Sequence, residues 1–76
     1  MDSRLSHRAR SLLRAVQIGH AELVCGRVPH LLVDGLNVCA QDTLALAGLI
    51  APAISGRVGM RVLAVLTDAG KLAVSP

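Results

Sequence analysis

The side chains best suited to chemistry in this sequence are two arginines in a glycine loop. The loop of residues 55–61 contains Arg57 and Arg61 beside Gly56 and Gly59. A guanidinium group can donate paired hydrogen bonds to phosphate oxygens, and glycine gives a tight loop the backbone freedom that it needs. Arg57 and Arg61 are therefore the first candidates for contacting an anionic partner.

A basic helix face is the second candidate. Residues 4–17 repeat apolar side chains at helical spacing, which places on one face Leu5, Ala9, Leu12, Leu13 and Val16. The opposite face carries Arg4, His7, Arg8, Arg10, Ser11 and Arg14. We predict that Asp2 or Ser3 caps the start of this helix and that Gly19 ends it. The simpler interpretation of the polar face is a solvated surface; the alternative is that Arg8 and Arg14 contact phosphates.

One set of residues along the chain is of the types that bind transition metals: His20, Cys25, His30 and Cys39. Zinc ligands usually come in pairs that are two to four residues apart, and these residues are spaced more widely. Buried, unreactive thiols are the preferred interpretation. A zinc site would require the strands to bring the four together, and a disulfide is disfavoured in a reducing cytoplasm.

No catalytic constellation is present in the sequence. Asp34 precedes Gly35 and is interpreted as a turn residue, and neither Ser11 nor Ser55 lies in a nucleophile elbow. A P-loop, a dinucleotide-binding glycine motif and an HExxH motif are all missing. We therefore expect neither enzymatic activity nor a cofactor.

The composition describes a single small domain, residues 1–76, with an aliphatic core. Hydrophobic residues make up 53% of the chain, but it contains no Phe, Tyr or Trp. Because aromatic side chains normally contribute much of the buried area, such a core is shallow, and a homodimer or another partner is expected. The single lysine among many Arg, Ala, Leu and Val residues is typical of a GC-rich bacterial or phage genome.

The formal net charge of +3 permits nucleic-acid binding without requiring it. The missing aromatics argue against single-stranded nucleic acid, whose bases stack on aromatic rings. No apolar stretch approaches the roughly 18 residues of a membrane span, and the polar N-terminus lacks the apolar region of a signal peptide. We expect a cytoplasmic protein.

The remaining elements are predicted from turn residues and apolar patterns. A strand over residues 21–25 and a loop over 26–30 precede two strands, 31–33 and 36–38, which flank Asp34-Gly35 as a hairpin. A helical turn that starts at Asp34 is the competing interpretation. A short helix then begins at Cys39 or Asp42 and continues through Ala47, and Gly48 ends it.

The last third of the chain is predicted as two strands and a helix. The strands cover residues 49–53, where Pro52 requires an edge position, and 60–66, whose nearly continuous apolar residues suggest burial. Thr67 is predicted to cap a final helix over residues 68–74. The complete order, α-β-(β-hairpin)-α-β-β-α, describes a small α+β, winged-helix-like domain.

Residues 44–72 resemble the wing and C-terminal helix of MarR-like and PadR-like winged helix-turn-helix regulators. The resemblance is carried by Leu46-Ala47-Gly48-Leu49-Ile50, by Gly56-Arg57 and by Leu66-Thr67-Asp68-Ala69-Gly70-Lys71. It implies that the helix before Gly48 enters the major groove of DNA, where the facing positions would be Gln41, Asp42, Thr43 and Ala45. It also implies that Arg57 and Arg61 are wing contacts, and that the protein is a dimeric bacterial or phage transcriptional regulator or accessory factor.

The predicted recognition helix contains no Lys or Arg and includes Asp42, which phosphates repel. Among side chains that commonly read bases, it offers only Gln41. The alternative function is therefore a protein–protein interaction module on the same fold. Its interface would be the first helix or the apolar last helix.

Overall fold

Helix α1 (His7–Gln17) begins directly after Ser6, whose hydroxyl accepts a hydrogen bond from the Ala9 amide. The structure is a computed structural model and describes residues 6–75. The predicted start at residue 4 is wrong, because Ser6 has an extended backbone and acts as the N-cap. The predicted caps Asp2 and Ser3 lie outside the described residues, as do Arg4 and Leu5. The left-handed stop at Gly19 is confirmed by its φ of 84°.

Five strands form one antiparallel sheet in the order β3-β2-β1-β5-β4. The strands are β1 (Ala21–Val24), β2 (His30–Val33), β3 (Leu36–Asn37), β4 (Ile50–Pro52) and β5 (Arg61–Leu66). Two further helices, α2 (Ala40–Ala45) and α3 (Asp68–Val74), complete the order along the chain. The α+β class and the predicted order of elements are confirmed. Pro52 lies on an edge strand, as predicted.

The turn between β2 and β3 is a tight hairpin. Asp34 has a φ of 52° and Gly35 a φ of 80°, and two successive positive φ angles are the signature of a type I′ turn. The hairpin prediction is confirmed and the competing helical turn is wrong.

The main core cluster lies on one face of the sheet, where the helices pack. Leu23 of β1 pairs with Leu31 of β2 and with Val62 of β5, so these three side chains share that face. They are buried against Leu13 and Val16 of α1. The prediction that the last strand is buried is correct for Val62 and Ala64 but wrong for Arg61 and Leu63. Its side chains alternate between buried and exposed from Arg61 to Ala64, because helices cover only one face.

The two ends of the sheet differ in the loops that they carry. Since β1 is antiparallel to both β2 and β5, its first residue lies near Asp34 and near the start of α3. We call this side the hairpin end. The other side carries the loops of residues 25–29 and 53–60, and we call it the arginine end. Among residues 6–75, no helix is long and apolar enough to cross a membrane.

Helix α2 is shorter than predicted, and the residue that attaches it to the core lies just after its last turn. It ends at Ala45 instead of Ala47, because Leu46 leaves the helical backbone and Gly48 has a φ of 81°. None of its six residues is buried, whereas Leu46, which follows it, is fully buried. Leu46 therefore anchors the α2 segment to the core.

The start of α3 is fixed by Thr67, as predicted. The Thr67 hydroxyl accepts a hydrogen bond from the Gly70 amide at 3.1 Å and donates one to the Gly48 carbonyl at 2.7 Å. One side chain thus caps α3 and ties it to the turn after α2. Both bonds contribute to the free energy of unfolding.

We expect Thr67→Ala to lower the free energy of unfolding by about 1–2 kcal/mol, because it removes the cap and leaves the Gly48 carbonyl without this donor. Urea unfolding followed by far-ultraviolet circular dichroism measures the loss. Thr43→Ala is the matched control, since the Thr43 hydroxyl bonds only the Cys39 carbonyl of the adjoining N-cap residue. Equal losses in the two variants would contradict the role given to Thr67.

Candidate functional site

Backbone hydrogen bonds join the loops of residues 25–29 and 53–60 at the arginine end. The Gly59 amide donates to the Cys25 carbonyl at 2.7 Å, and the Cys25 amide donates to the Met60 carbonyl at 2.8 Å. Arg27 follows Cys25 by two residues, and Arg57 precedes Gly59 by two. These bonds therefore bring Arg27 close to the loop that carries Arg57, with Arg61 at the start of the adjoining strand.

Arg27 was not predicted as a site residue. The only sequence signal is that Gly26-Arg27, like Gly56-Arg57, places an arginine in a glycine loop next to a predicted strand. Nothing local shows that the two loops meet. Their proximity depends on the antiparallel pairing of β1 with β5.

Few acidic residues lie close to the three arginines of the arginine end. At the arginine end, the acid next to the arginines is Glu22, whose carboxylate lies 3.7 Å from the Arg61 guanidinium. Both side chains are substantially exposed, so this pair restrains Arg61 weakly. Within residues 6–75, Arg27 and Arg57 form no ion pair. Of the other acids in residues 6–75, Asp34 and Asp68 lie at the hairpin end and Asp42 is paired with Arg8. The arginine end therefore has three arginines and one nearby carboxylate.

Arg8 is engaged by Asp42, and this pair joins α1 to α2. The Arg8 Nε–H donates to a carboxylate oxygen of Asp42. This hydrogen bond raises the pKa of Arg8, with a further contribution from the negative charge of Asp42. Because Asp42 is paired, it repels phosphate less than an isolated carboxylate would. Arg8 is correspondingly less free to contact a partner.

The other predicted contact residues lie in different places. Gln41 is exposed on α2, whereas Thr43 is half-buried and its hydroxyl donates to the Cys39 carbonyl. Arg14 lies on α1 beside a shallow polar hollow that also includes Arg10. Its half of α1 lies toward the hairpin end, because the chain reverses at Gly19 before β1. The structure thus groups Arg57 and Arg61 with Arg27, and separates them from Arg14.

The metal-type residues do not converge. His20 lies at the hairpin end, 3.5 Å from Asp34, whereas Cys25 is at the other end of β1. His30 is 3.1 Å from the Asn37 side-chain oxygen. In the part of the chain that the structure describes, no group of three or more His, Cys, Asp or Glu residues is arranged to hold a metal ion. The prediction of buried thiols is wrong for Cys39, which is the exposed N-cap residue of α2.

An apolar groove lies between α2 and the sheet, and we call it the α2 groove. It has a volume of about 350 Å³ and is lined by Leu23, Val28, Pro29, His30, Ala40, Thr43, Leu44, Ala47, Gly48, Ile50 and Pro52. Sequence reasoning missed it. The available signal was the set of small residues around this helix in a chain that has no aromatic side chain to fill the gap.

Comparison with family models, with curated proteins and with solved structures gives no match to this chain. The fold and the site therefore define its class by themselves. It is a small α+β domain in which a positively charged sheet end adjoins an apolar groove.

Proposed function

We propose that this chain is a small DNA-binding protein that contacts the phosphates of a duplex with its arginine end. The observation that carries the proposal is the grouping of Arg27, Arg57 and Arg61, while Asp34 and Asp68 lie at the opposite end of the sheet. A basic patch on one side of a small domain is the electrostatic footprint of nucleic-acid binding. The three arginines would also attract DNA toward this end of the protein.

Double-stranded DNA is favoured over a single strand because the chain has no aromatic ring on which bases could stack. Sequence reading would be limited. On the exposed surface of α2, Gln41 is accompanied by Leu44 and Ala45, and only Gln41 is of a type that commonly reads bases. Phosphate contacts position a protein without specifying sequence. We therefore propose an accessory DNA-binding factor in transcription rather than a strict operator reader.

The order of the elements resembles that of a winged helix and supports this proposal, whereas the position of the loop between β4 and β5 differs from that of a wing. The order of α2, the antiparallel pair β4–β5 and α3 agrees with that of a winged helix. However, the loop between β4 and β5 lies against the end of β1, because Gly56 packs close to the Cys25 sulfur. Arg57 would thus contact a duplex from a loop folded onto the sheet. A cytoplasmic location belongs to this proposal, and the homodimer stays a prediction.

The salt dependence of binding to a random-sequence duplex tests the proposal. Three phosphate contacts would give a slope of about −2.7 for log K against log salt, since each contact contributes about −0.9. The double substitution Arg27→Ala, Arg57→Ala should reduce the slope to about −0.9. Fluorescence anisotropy with a labelled duplex measures both.

The matched control is Arg10→Ala, Arg14→Ala, which removes the same charge from α1. We expect it to retain most of the affinity and the slope. Absence of binding at low salt would refute the proposal. Equal losses in the two double variants would show that net charge, and not the arginine end, is responsible.

A further inference from the structure

The α2 groove has the features of a docking surface for a protein. We propose that it binds an amphipathic helix of a partner protein, whose large apolar side chains enter the groove and whose acidic residues face Arg27 and Arg57.

Helix α2 is poorly supported by its own chain. None of its residues is buried, and Leu44 is 67% exposed. A six-residue helix is not stable in isolation, so most of its stability must come from packing. In this structure two contacts hold α2 in place. Leu46, which follows the helix, is buried in the core, and Asp42 on the polar side of the helix pairs with Arg8. A partner that filled the groove would supply the missing apolar packing.

The apolar surface is continuous and concave. Beyond Leu23, Pro29 and Pro52, the α2 groove meets a second hollow of about 320 Å³, which reaches Gly56 and Val58. Val58 is 85% exposed, and Val28 on the rim of the first hollow is 75% exposed. Single exposed apolar side chains are ordinary, but apolar side chains that line one connected depression mark an interaction site. A helix that presents side chains at positions i, i+3 or i+4, and i+7 fits such a groove.

The charges around the groove favour a partner helix that carries acidic residues. None of the residues that line either hollow is Asp or Glu. Arg27 and Arg57 lie in the two loops that border the second hollow, and neither forms an ion pair within residues 6–75. A DNA duplex does not match this apolar groove. The surface of the duplex presents phosphates and polar base atoms, and its main apolar group is the thymine methyl. The occupant therefore combines apolar anchors with negative charge at one end.

One consequence rests on the proposed function. The acidic end of the partner helix and the phosphates of DNA would use the same two arginines. The two ligands would then compete, and the partner would release the protein from DNA. The groove itself does not depend on DNA binding.

A peptide selection tests the inference. A library of random peptides displayed on phage is selected on the whole protein, and the enriched sequences are made as labelled synthetic peptides. We expect apolar residues at helical spacing with Asp or Glu at one end. Leu44→Ala should weaken the binding of these peptides about tenfold, as expected for a central apolar anchor. The matched control is Leu72→Ala on α3, which is 76% exposed and lies outside the groove, and it should leave affinity unchanged.

Three results would overturn the inference: no enrichment, enrichment of basic or uncharged peptides, or equal binding to the wild type and Leu44→Ala. A doubling of mass at high protein concentration that Leu44→Ala abolishes would identify the occupant as a second copy, and would also overturn it. Leu44→Ala leaves the arginines intact and should retain DNA affinity. Failure of the peptide inference is thus distinguishable from failure of the DNA proposal.

Discussion

Gly70→Ala is expected to destabilise the protein by about 3 kcal/mol or more, as overpacking at a rigid contact does. A Cβ at residue 70 would lie 2.0 Å from the Leu49 carbonyl oxygen and 3.3 Å from the Leu66 Cβ. The carbonyl belongs to the backbone and accepts a hydrogen bond from the Thr67 amide at 3.0 Å. It cannot move aside as a flexible side chain would, so α3 must shift and strain this bond.

The sign of the effect distinguishes this contact from ordinary helix propensity. In an open helix position, replacing glycine with alanine would stabilise the helix by up to about 1 kcal/mol. At Gly70 the clash is expected to exceed that gain severalfold. The substitution therefore tests whether α3 starts directly against the turn that follows α2.

Urea unfolding measured by circular dichroism gives the change in free energy. Intrinsic fluorescence is not suitable, because the chain has no Trp or Tyr. Gly26→Ala is the matched control, since its Cβ would approach only the Val28 carbonyl, at 4.0 Å. We expect a change within about 0.5 kcal/mol for this control. A stability of Gly70→Ala equal to or above wild type would contradict the packing of α3.

Leu46→Ala is expected to lower the free energy of unfolding by about 2–5 kcal/mol, the range for truncating a buried leucine. Leu46 is fully buried in the core cluster together with Leu13 and Leu31. It is also the residue that anchors the α2 segment, because α2 has no buried residue of its own. The loss should therefore include a local loosening of α2 in addition to the cavity.

Hydrogen exchange separates the two effects. In Leu46→Ala, the amides of residues 40–49 should exchange faster than those of β1 and β5 under conditions where the protein remains folded. Leu44→Ala is the control because it truncates an exposed leucine of the same helix, and its stability should stay within about 0.5 kcal/mol of wild type. A uniform increase in exchange over the whole sheet would contradict the anchoring role of Leu46.

Local signals in the sequence predicted much of the fold. Asp34-Gly35 specified the hairpin because both positions must adopt positive φ, which few residue pairs tolerate. Thr67 specified the start of α3 because a threonine hydroxyl can accept from the amide three residues on. The start of α1 was misplaced. Several polar residues near the N-terminus can cap a helix, and sequence alone did not favour Ser6 over them.

The candidate site was predicted only in part. Arg57 was identified because it lies in a glycine loop beside a second arginine, which is visible in the sequence. Arg27 was missed because its loop meets the loop of Arg57 only through the pairing of β1 with β5. Arg8 was interpreted as a solvated or phosphate-contacting residue, but it pairs with Asp42, which lies 34 residues away in the sequence. The small residues around α2 and the missing aromatic side chains were the only sequence signal for the α2 groove. Its position and extent depend on how far α2 lies from the sheet.

The sequence by itself determined the elements of this protein, their order and their turns, because these depend on interactions between residues close together in the chain. The tertiary structure alone decided which arginines share one end of the sheet, which are held by acids, and where an apolar surface is left uncovered. Those outcomes depend on strand register and on how far α2 lies from the sheet. Both result from the packing of the whole aliphatic core, in which distant residues must fit together at once.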